Sequence, residues 1–391
     1  MSDTARWRSE WTIPDDVTYL NHGSFGPSPR SVQQTREEWS ARLEAQPMDF
    51  FLRRLEPALD EAAATLGRFI GAGPRDLVFV ENATAAMNIV AESVLLDPGD
   101  EVLLNDHEYG AVRRIWQRAC DRRHARVTCA TIPTPIGAVD DVIGPLFDAV
   151  TPQTKLIVVS HVTSPTAIVF PVEEICRQAR ERGIPVCIDG PHAIAMRPVN
   201  LREIGATFYC ASLHKWLSAP FGSGFLHVER AWQSKLVVPE LSWGRSLSGR
   251  NHRWQDEWNW QGTRDPAPFL AVPAAIAFLE REGIETFRRH GHHLAQIARQ
   301  RLQALFPDGQ PLTADDEAWY GTMVTIPLGD GPSLRTAPNA WDPWQQTLWE
   351  RHHIEIPFVD WHGRRHIRVS AHLYNTVEDV ERLCAALAEI S

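Results

Sequence analysis

Short apolar runs recur through the middle of the chain, and stretches with a helical pattern separate them. The runs are Leu77–Val80, Glu101–Leu104, Arg126–Ile132, Leu156–Val162, Val186–Asp189, Thr207–Ala211 and Gly224–Val228. Between them, apolar positions three or four apart predict amphipathic helices over Ala85–Leu96, Ala111–Arg122 and Val172–Arg182. Strands that are apolar along their whole length must be buried on both faces. Alternation with helices therefore predicts an α/β fold with a mostly parallel seven-stranded sheet between helical layers.

After Pro266 the texture changes. Helical patterns over Ala267–Glu280 and Ile284–Leu305 precede a segment rich in Gly, Pro and Trp. Short strands follow at Thr322–Pro327 and Arg365–Ser370, then a last helix over Thr376–Ile390 that Thr376 and Asp379 cap. These patterns divide the chain into an N-terminal segment (1–39), a large domain (40–265) and a smaller α+β C-terminal domain (266–391). The N-terminal segment is expected to pack with the small domain and to lie over the active site.

Composition narrows the class. The 391 residues are 43% hydrophobic and 23% charged, which suits a folded protein with a sizeable core. A net charge of −10 argues against binding nucleic acid or an anionic membrane surface. The start of the chain has no apolar core of signal-peptide length, and no long uncharged apolar run follows. The six cysteines show no CxxC spacing and read as free thiols, so the expected location is cytoplasmic. Histidine-rich stretches lack HExxH or a Cys partner, so no metal site is expected, and no GxSxG elbow supports a serine hydrolase.

Lysine is scarce: of 39 basic residues only Lys155, Lys215 and Lys235 are lysines. Lys215 follows a strand and precedes the turn Phe221–Gly224, while Asp189 ends another strand. Ends of parallel strands at one sheet edge are where such folds place ligands. An amine and a carboxylate there suit pyridoxal 5'-phosphate (PLP), whose aldehyde takes a lysine as a Schiff base and whose ring nitrogen must stay protonated. A strand-to-helix passage at Asn82-Ala83-Thr84 offers backbone N–H groups and a hydroxyl for a phosphate, and Ser212 and His214 flank the lysine closely enough to join it.

Taken in order, Tyr19–Gly26, Asn82–Thr84, Asp106–Tyr109, Ser160–Ser164, Asp189–His192, Ser212–Lys215, Gly262–Asp265 and Arg368–Asn375 resemble the class V aminotransferase family of fold-type I PLP enzymes. Within it the chain is most similar to the isopenicillin N epimerase-like group, and also to cysteine desulfurases. The resemblance implies that Lys215 carries the cofactor and Asp189 pairs with its ring nitrogen. It also implies that His192 contacts the phenolic oxygen or supports the ring, that Ser164 stands near that oxygen, and that Tyr109 stacks on the ring. Asn82, Ala83, Thr84, Ser212 and His214 would hold the phosphate, and Thr263 would reach the phosphate of a neighbouring subunit in a homodimer. Arg368 would grip the α-carboxylate of a small amino-acid substrate.

Two departures bear on the reaction. Desulfurases carry a nucleophilic cysteine shortly before the substrate arginine, whereas this chain has Arg351–His362 there without one. Ser164 also stands where many relatives have asparagine. Epimerisation or racemisation at Cα is the expected reaction, with C–S lyase and aminotransferase chemistry as alternatives and a non-catalytic binding protein as the alternative from another class. An epimerase needs a second proton carrier, for which Tyr109 and His22 are the candidates, His22 also as a substrate contact.

Overall fold

The computed structural model describes residues 3–329, 335 and 340–390. Seven strands form the central sheet: β1 (Leu77–Val80), β2 (Glu101–Asn105), β3 (Arg126–Ala130), β4 (Thr154–Ser160), β5 (Val186–Asp189), β6 (Phe208–Ser212) and β7 (Gly224–Val228). Their spatial order is β1-β7-β6-β5-β4-β2-β3, and only β7 runs antiparallel to its neighbours. Every residue of β1, β2, β5 and β6 is buried, as the unbroken apolar runs require.

Helices α1 (Ala83–Ser93), α2 (Gly110–Asp121) and α3 (Val172–Glu181) follow β1, β2 and β4. In α3, Val172, Ile175, Cys176 and Ala179 turn inward at helical spacing while Glu173, Glu174 and Arg177 stay outside. Two separate cores lie on the two faces of the sheet, one built around Met87, Val90 and Trp116, the other around Phe170, Ile188 and Leu279.

The C-terminal part has its own three-stranded antiparallel sheet, order β9-β10-β8, made of β8 (Met323–Pro327), β9 (Phe358–Trp361) and β10 (Arg364–Ser370). Helices α4 (Ile284–Leu305) and α5 (Val377–Ile390) cover it through Leu302, Val380, Leu383 and Leu387. The N-terminal segment is tied to this part: Thr18–Tyr19 pair in parallel with Ile354–Glu355, and Asn21 bridges to Ser370.

Two elements differ from the expected pattern. Helix Arg30–Ala45 runs through position 39 without a break. The expected helix over Ala267–Glu280 is two pieces, Ala267–Leu270 and Val272–Glu282, and both pack on Arg30–Ala45 and Leu55–Phe69. Phe269, Val272, Ile276 and Leu279 bury into the core beside the large sheet.

Candidate active site

The carboxyl ends of β2, β4, β5 and β6 open into one cavity of about 900 Å³. Asn82, Ala83, Thr84, Tyr109, Ser164, Asp189, His192, Ser212, His214, Lys215 and Arg368 all line it. Residues brought from six separate stretches of sequence thus share one wall system, at the sheet edge where open α/β folds bind ligands.

At its floor lies the half-buried Lys215 amine, and desolvation together with the nearby Arg368 charge lowers its pKa to about 7, against the opposing pull of Asp189. Its Nζ lies 2.8 Å from His192 Nε2. His192 is itself held well below the usual imidazole range by burial, so it is neutral, and its Nδ1 is a buried atom without a hydrogen-bond partner. Burial raises Asp189 to about 6, with Lys215 acting against the shift. A buried carboxylate of this kind calls for a cation or an N–H donor beside it.

One end of the cavity meets the start of α1. Asn82 caps α1, its Oδ1 accepting the Ala85 N–H at 2.9 Å, and Ser212 Oγ accepts the Ala83 N–H at 2.9 Å. This stitches the β6 end to the first turn of α1 and leaves Thr84 and His214 on the cavity wall, His214 with a buried, unpartnered Nδ1. Gly224 makes the approach possible, since a Cβ there would lie 2.6 Å from the Ala211 carbonyl and 2.8 Å from Asn82 Cα.

Arg368 is 5% exposed. Its Nη1 donates to the Ser164 carbonyl at 2.6 Å and to Ser164 Oγ at 3.1 Å, and its Nη2 donates to Ser24 Oγ at 2.7 Å. No carboxylate pairs with it among the described residues, and its buried Nε has no partner. Burial lowers its pKa to about 10. A buried guanidinium held by neutral oxygens alone is an incomplete charge pair, and a carboxylate ligand completes it. Ser164 therefore holds the arginine.

His22 is a correction. Its ring is fully buried behind the lysine loop and does not line the cavity. Nε2 lies 2.9 Å from the Lys215 carbonyl, Nδ1 lies 2.8 Å from the Tyr374 hydroxyl, and the ring stacks on His372 at 4.2 Å. Burial lowers its pKa to about 3, so it is neutral and walled off from any substrate. Thr263 is exposed and lies outside the chain's own cavity.

Sequence reasoning missed Glu108. It is 3% exposed, lines the cavity and accepts from the Ser160 N–H (2.8 Å), Ser160 Oγ (2.8 Å) and Asn105 Nδ2 (2.5 Å). Burial, reinforced by Asp189, raises it to about 7 despite these donors. The hairpin β9–β10 was also missed as a wall: Val359, Asp360, Trp361 and His362 all line the cavity.

The residues present fit PLP. A half-buried amine and a buried carboxylate sit at neighbouring strand ends, Thr84, Ser212 and His214 line the wall at the start of α1, and His192 and His214 each present an unmet ring nitrogen. The model for aminotransferase class-V matches residues 19–383.

The chain belongs to the aminotransferase class-V family.

Enzymes of this family depend on PLP, and the chain is one of them. It is 36% identical to isopenicillin N epimerase of Amycolatopsis lactamdurans, over 99% of this chain and 98% of that protein. It is 29% identical to putative L-cysteine desulfhydrase 1 of Oryza sativa subsp. japonica, over 96% of this chain and 83% of that one. Among solved structures, C-DES with glycine covalently linked to its PLP cofactor superposes with a TM-score of 0.82 at 19% identity, over 98% of this chain and 99% of that one. The cysteine desulfurase CsdA of Escherichia coli gives 0.79 at 19% identity, over 99% and 98% of the two chains. These likenesses establish the fold-type I architecture. Among the described residues no helix is long and apolar enough to cross a membrane.

Proposed function

We propose that this enzyme inverts the configuration at Cα of an amino acid or amino-acid derivative. One observation carries the reading: two proton carriers reach the same cavity from different elements. Lys215 enters from the β6–β7 loop and Tyr109 from the start of α2, while the hairpin beside them has no cysteine. When bound, PLP supplies an aldehyde for an amino group and an electron sink for the charge left at Cα.

The chain's own residues supply the rest. Arg368 seats the α-carboxylate, fixed by Ser24 and Ser164 so that its Nε edge is free. With PLP bound, Asp189 would hold the proton on its ring nitrogen, Thr84, Ser212 and His214 would hold its phosphate, and Lys215 would anchor it until the substrate amine takes that place and frees the lysine amine. The Lys215 Nζ, with its pKa lowered to about 7, is neutral often enough near pH 7 to accept the Cα proton. His192 Nε2 at 2.8 Å keeps that amine oriented. Tyr109, whose ring is 48% exposed on the cavity wall, returns a proton to Cα from its hydroxyl. The identity to the epimerase of A. lactamdurans supports this assignment.

A C–S lyase reading, supported by the similarity to the rice desulfhydrase, shares the same first proton transfer and differs in what leaves afterwards. Incubating holoenzyme with amino acids in D₂O separates the two. Deuterium at Cα with inversion supports the epimerase, and the Tyr109→Phe variant should lose inversion while keeping exchange in the starting enantiomer. Release of pyruvate, ammonia and sulfide without inversion would overturn it.

The exposed Thr263, and Leu241 (82% exposed) and Trp243 (72% exposed) on the preceding loop, support a homodimer in which Thr263 serves the neighbour's phosphate. Mixed dimers of Lys215→Ala and Thr263→Ala subunits would then regain one intact site. All six cysteines are unpaired, which supports a reducing, cytoplasmic location.

A further inference from the structure

Glu108 is an acid on the cavity wall whose carboxyl makes no ion pair among the described residues. Its two oxygens are held differently. Oε1 accepts two N–H groups, from the Ser160 main chain at 2.8 Å and from Asn105 Nδ2 at 2.5 Å. The Asn105 amide is fixed in that sense, because its Oδ1 accepts the His107 N–H at 2.9 Å. Oε2 has a single partner, the Ser160 hydroxyl at 2.8 Å. A hydroxyl can donate or accept, so this contact is satisfied whether the carboxyl is ionised or carries a proton on Oε2. The clip therefore accommodates a neutral acid without leaving a carboxyl oxygen unpaired.

The fold gives that proton a reason to stay. Asn105 ends β2 and Ser160 ends β4, and in the β4–β5 pairing Ser160 stands opposite Asp189. Glu108 thus closes two strand ends beside the carboxylate at the cavity floor, and the Asp189 charge reaches it. Two buried carboxyls in one low-dielectric site resist ionising together. Of the other charged or titratable groups around it, Asp106, His107 and Tyr109 share its turn, and Cys129 of β3 feels both Asp106 and Glu108. Arg113 of α2 turns its guanidinium to main-chain carbonyls, Nε to Glu108 O at 3.3 Å and Nη2 to Asn105 O at 3.1 Å. Lys215 answers to Asp189. Burial and Asp189 together outweigh the three donors, and Glu108 titrates at about 7 instead of its ordinary 4.5.

We propose that Glu108 is a positioning residue held as a neutral acid, its Oε2 proton shared with Ser160, so that Asp189 is the charged member of the pair and keeps its charge for the cofactor's ring nitrogen. The inference rests on the reading that Asp189 serves that nitrogen. Ionising Glu108 would add a second negative charge beside Asp189 and tighten the hold on the ring proton.

The test compares wild-type and Glu108→Gln holoenzymes, both saturated with PLP. Glutamine copies the neutral acid: its Oε1 takes the two N–H groups and its Nε2 donates to Ser160 Oγ. An acid whose pKa is raised on folding loses stability as pH climbs from its unfolded to its folded value. The ratio of unfolding constants, wild type over variant, read by denaturant titration, should therefore rise between about pH 4.5 and 7 by about 300-fold and then level off. A purely structural role gives an offset independent of pH, and a Glu108 ionised by its donors gives a ratio that falls; either overturns the proposal. Infrared spectra of wild-type holoenzyme carrying carbon-13 carboxyl-labelled glutamate need no variant. A protonated glutamate band should fade through about pH 7, with Asp189 silent to the label, and its absence below that pH also overturns the proposal. The absorbance of bound PLP reads the link to the ring: wild type and variant should coincide below about pH 7 and separate above it. A rising stability ratio with identical absorbance titrations would instead overturn the reading of Asp189 at the ring nitrogen and leave the neutral acid standing.

Discussion

Replacing Arg368 by glutamine removes a buried charge while leaving a polar side chain of similar reach. In the native site the guanidinium makes three donor contacts, to the Ser164 carbonyl, Ser164 Oγ and Ser24 Oγ, and has no acidic partner. It is 5% exposed, so solvent screens its pairing with a substrate carboxylate very little. Truncating one partner of a buried, hydrogen-bonded charge pair costs about 2–5 kcal/mol, or roughly 30- to 4,000-fold in affinity. The same change acts on Lys215, because the Arg368 charge is one of the causes that lower the amine to about 7. Without it the amine should titrate higher, so capture of PLP by apoenzyme should begin at higher pH. Two assays check this: amino-acid binding to holoenzyme by calorimetry, and the pH dependence of PLP uptake, with thermal melting as the control for folding. Wild-type affinity for amino acids in a folded, cofactor-loaded Arg368→Gln enzyme would refute the assignment.

Other outcomes follow from the same geometry. Lys215→Arg keeps the charge but cannot form the imine, so borohydride treatment should fix no cofactor to the chain, as read by intact mass. In the wild-type apoenzyme, PLP capture requires the neutral amine; its rate should rise with pH through about 7 and then level off, well below the range of an ordinary lysine. Asp189→Asn removes the carboxylate at the floor and should slow Cα exchange by about 10²–10³-fold while PLP content is retained. Gly224→Ala places a Cβ against two backbone atoms, at 2.6 and 2.8 Å, and should cost about 1–3 kcal/mol, measured by chemical denaturation.

Much of the fold was legible because a fully buried sheet writes itself as apolar runs. All seven strands of the large sheet fell within a few residues of their expected places. The hairpin strand Phe358–Trp361 was not legible: its polar Asp360 and the flanking histidine hide the alternation, and the His362-Gly363 turn lacks the usual Asn or Asp. Arg368 in His-Ile-Arg-Val-Ser reads as a surface residue until the sheet order makes β10 the central strand, buried on both sides. Glu108 gave no signal because its burial depends on Ser160, which reaches it from a neighbouring strand. Lys215 and Asp189 were legible because their chemistry depends on residue type and strand-end position, and both survive in one dimension.

The buried histidines explain how Lys215 and Arg368 are kept in register. A carbonyl only accepts, so His22 must donate from Nε2 to Lys215 O, which leaves Nδ1 to accept the Tyr374 O–H. By the same reasoning His372 donates from Nε2 to Trp216 O at 3.3 Å. Ser218 Oγ lies within 3.4 Å of both rings, closing the network beneath the lysine loop. His22 stands two residues before Ser24, and His372 four residues after Arg368. The same two segments therefore carry Ser24 and Arg368 on the cavity side and the support of the lysine backbone on the buried side. Each histidine must stay neutral to fill its one-donor role, and burial secures this by holding both well below the usual imidazole range. His22 thus acts through Lys215 as a positioning residue: its ring holds the lysine carbonyl while its own segment carries the Ser24 that steadies Arg368, so the amine and the guanidinium keep their spacing.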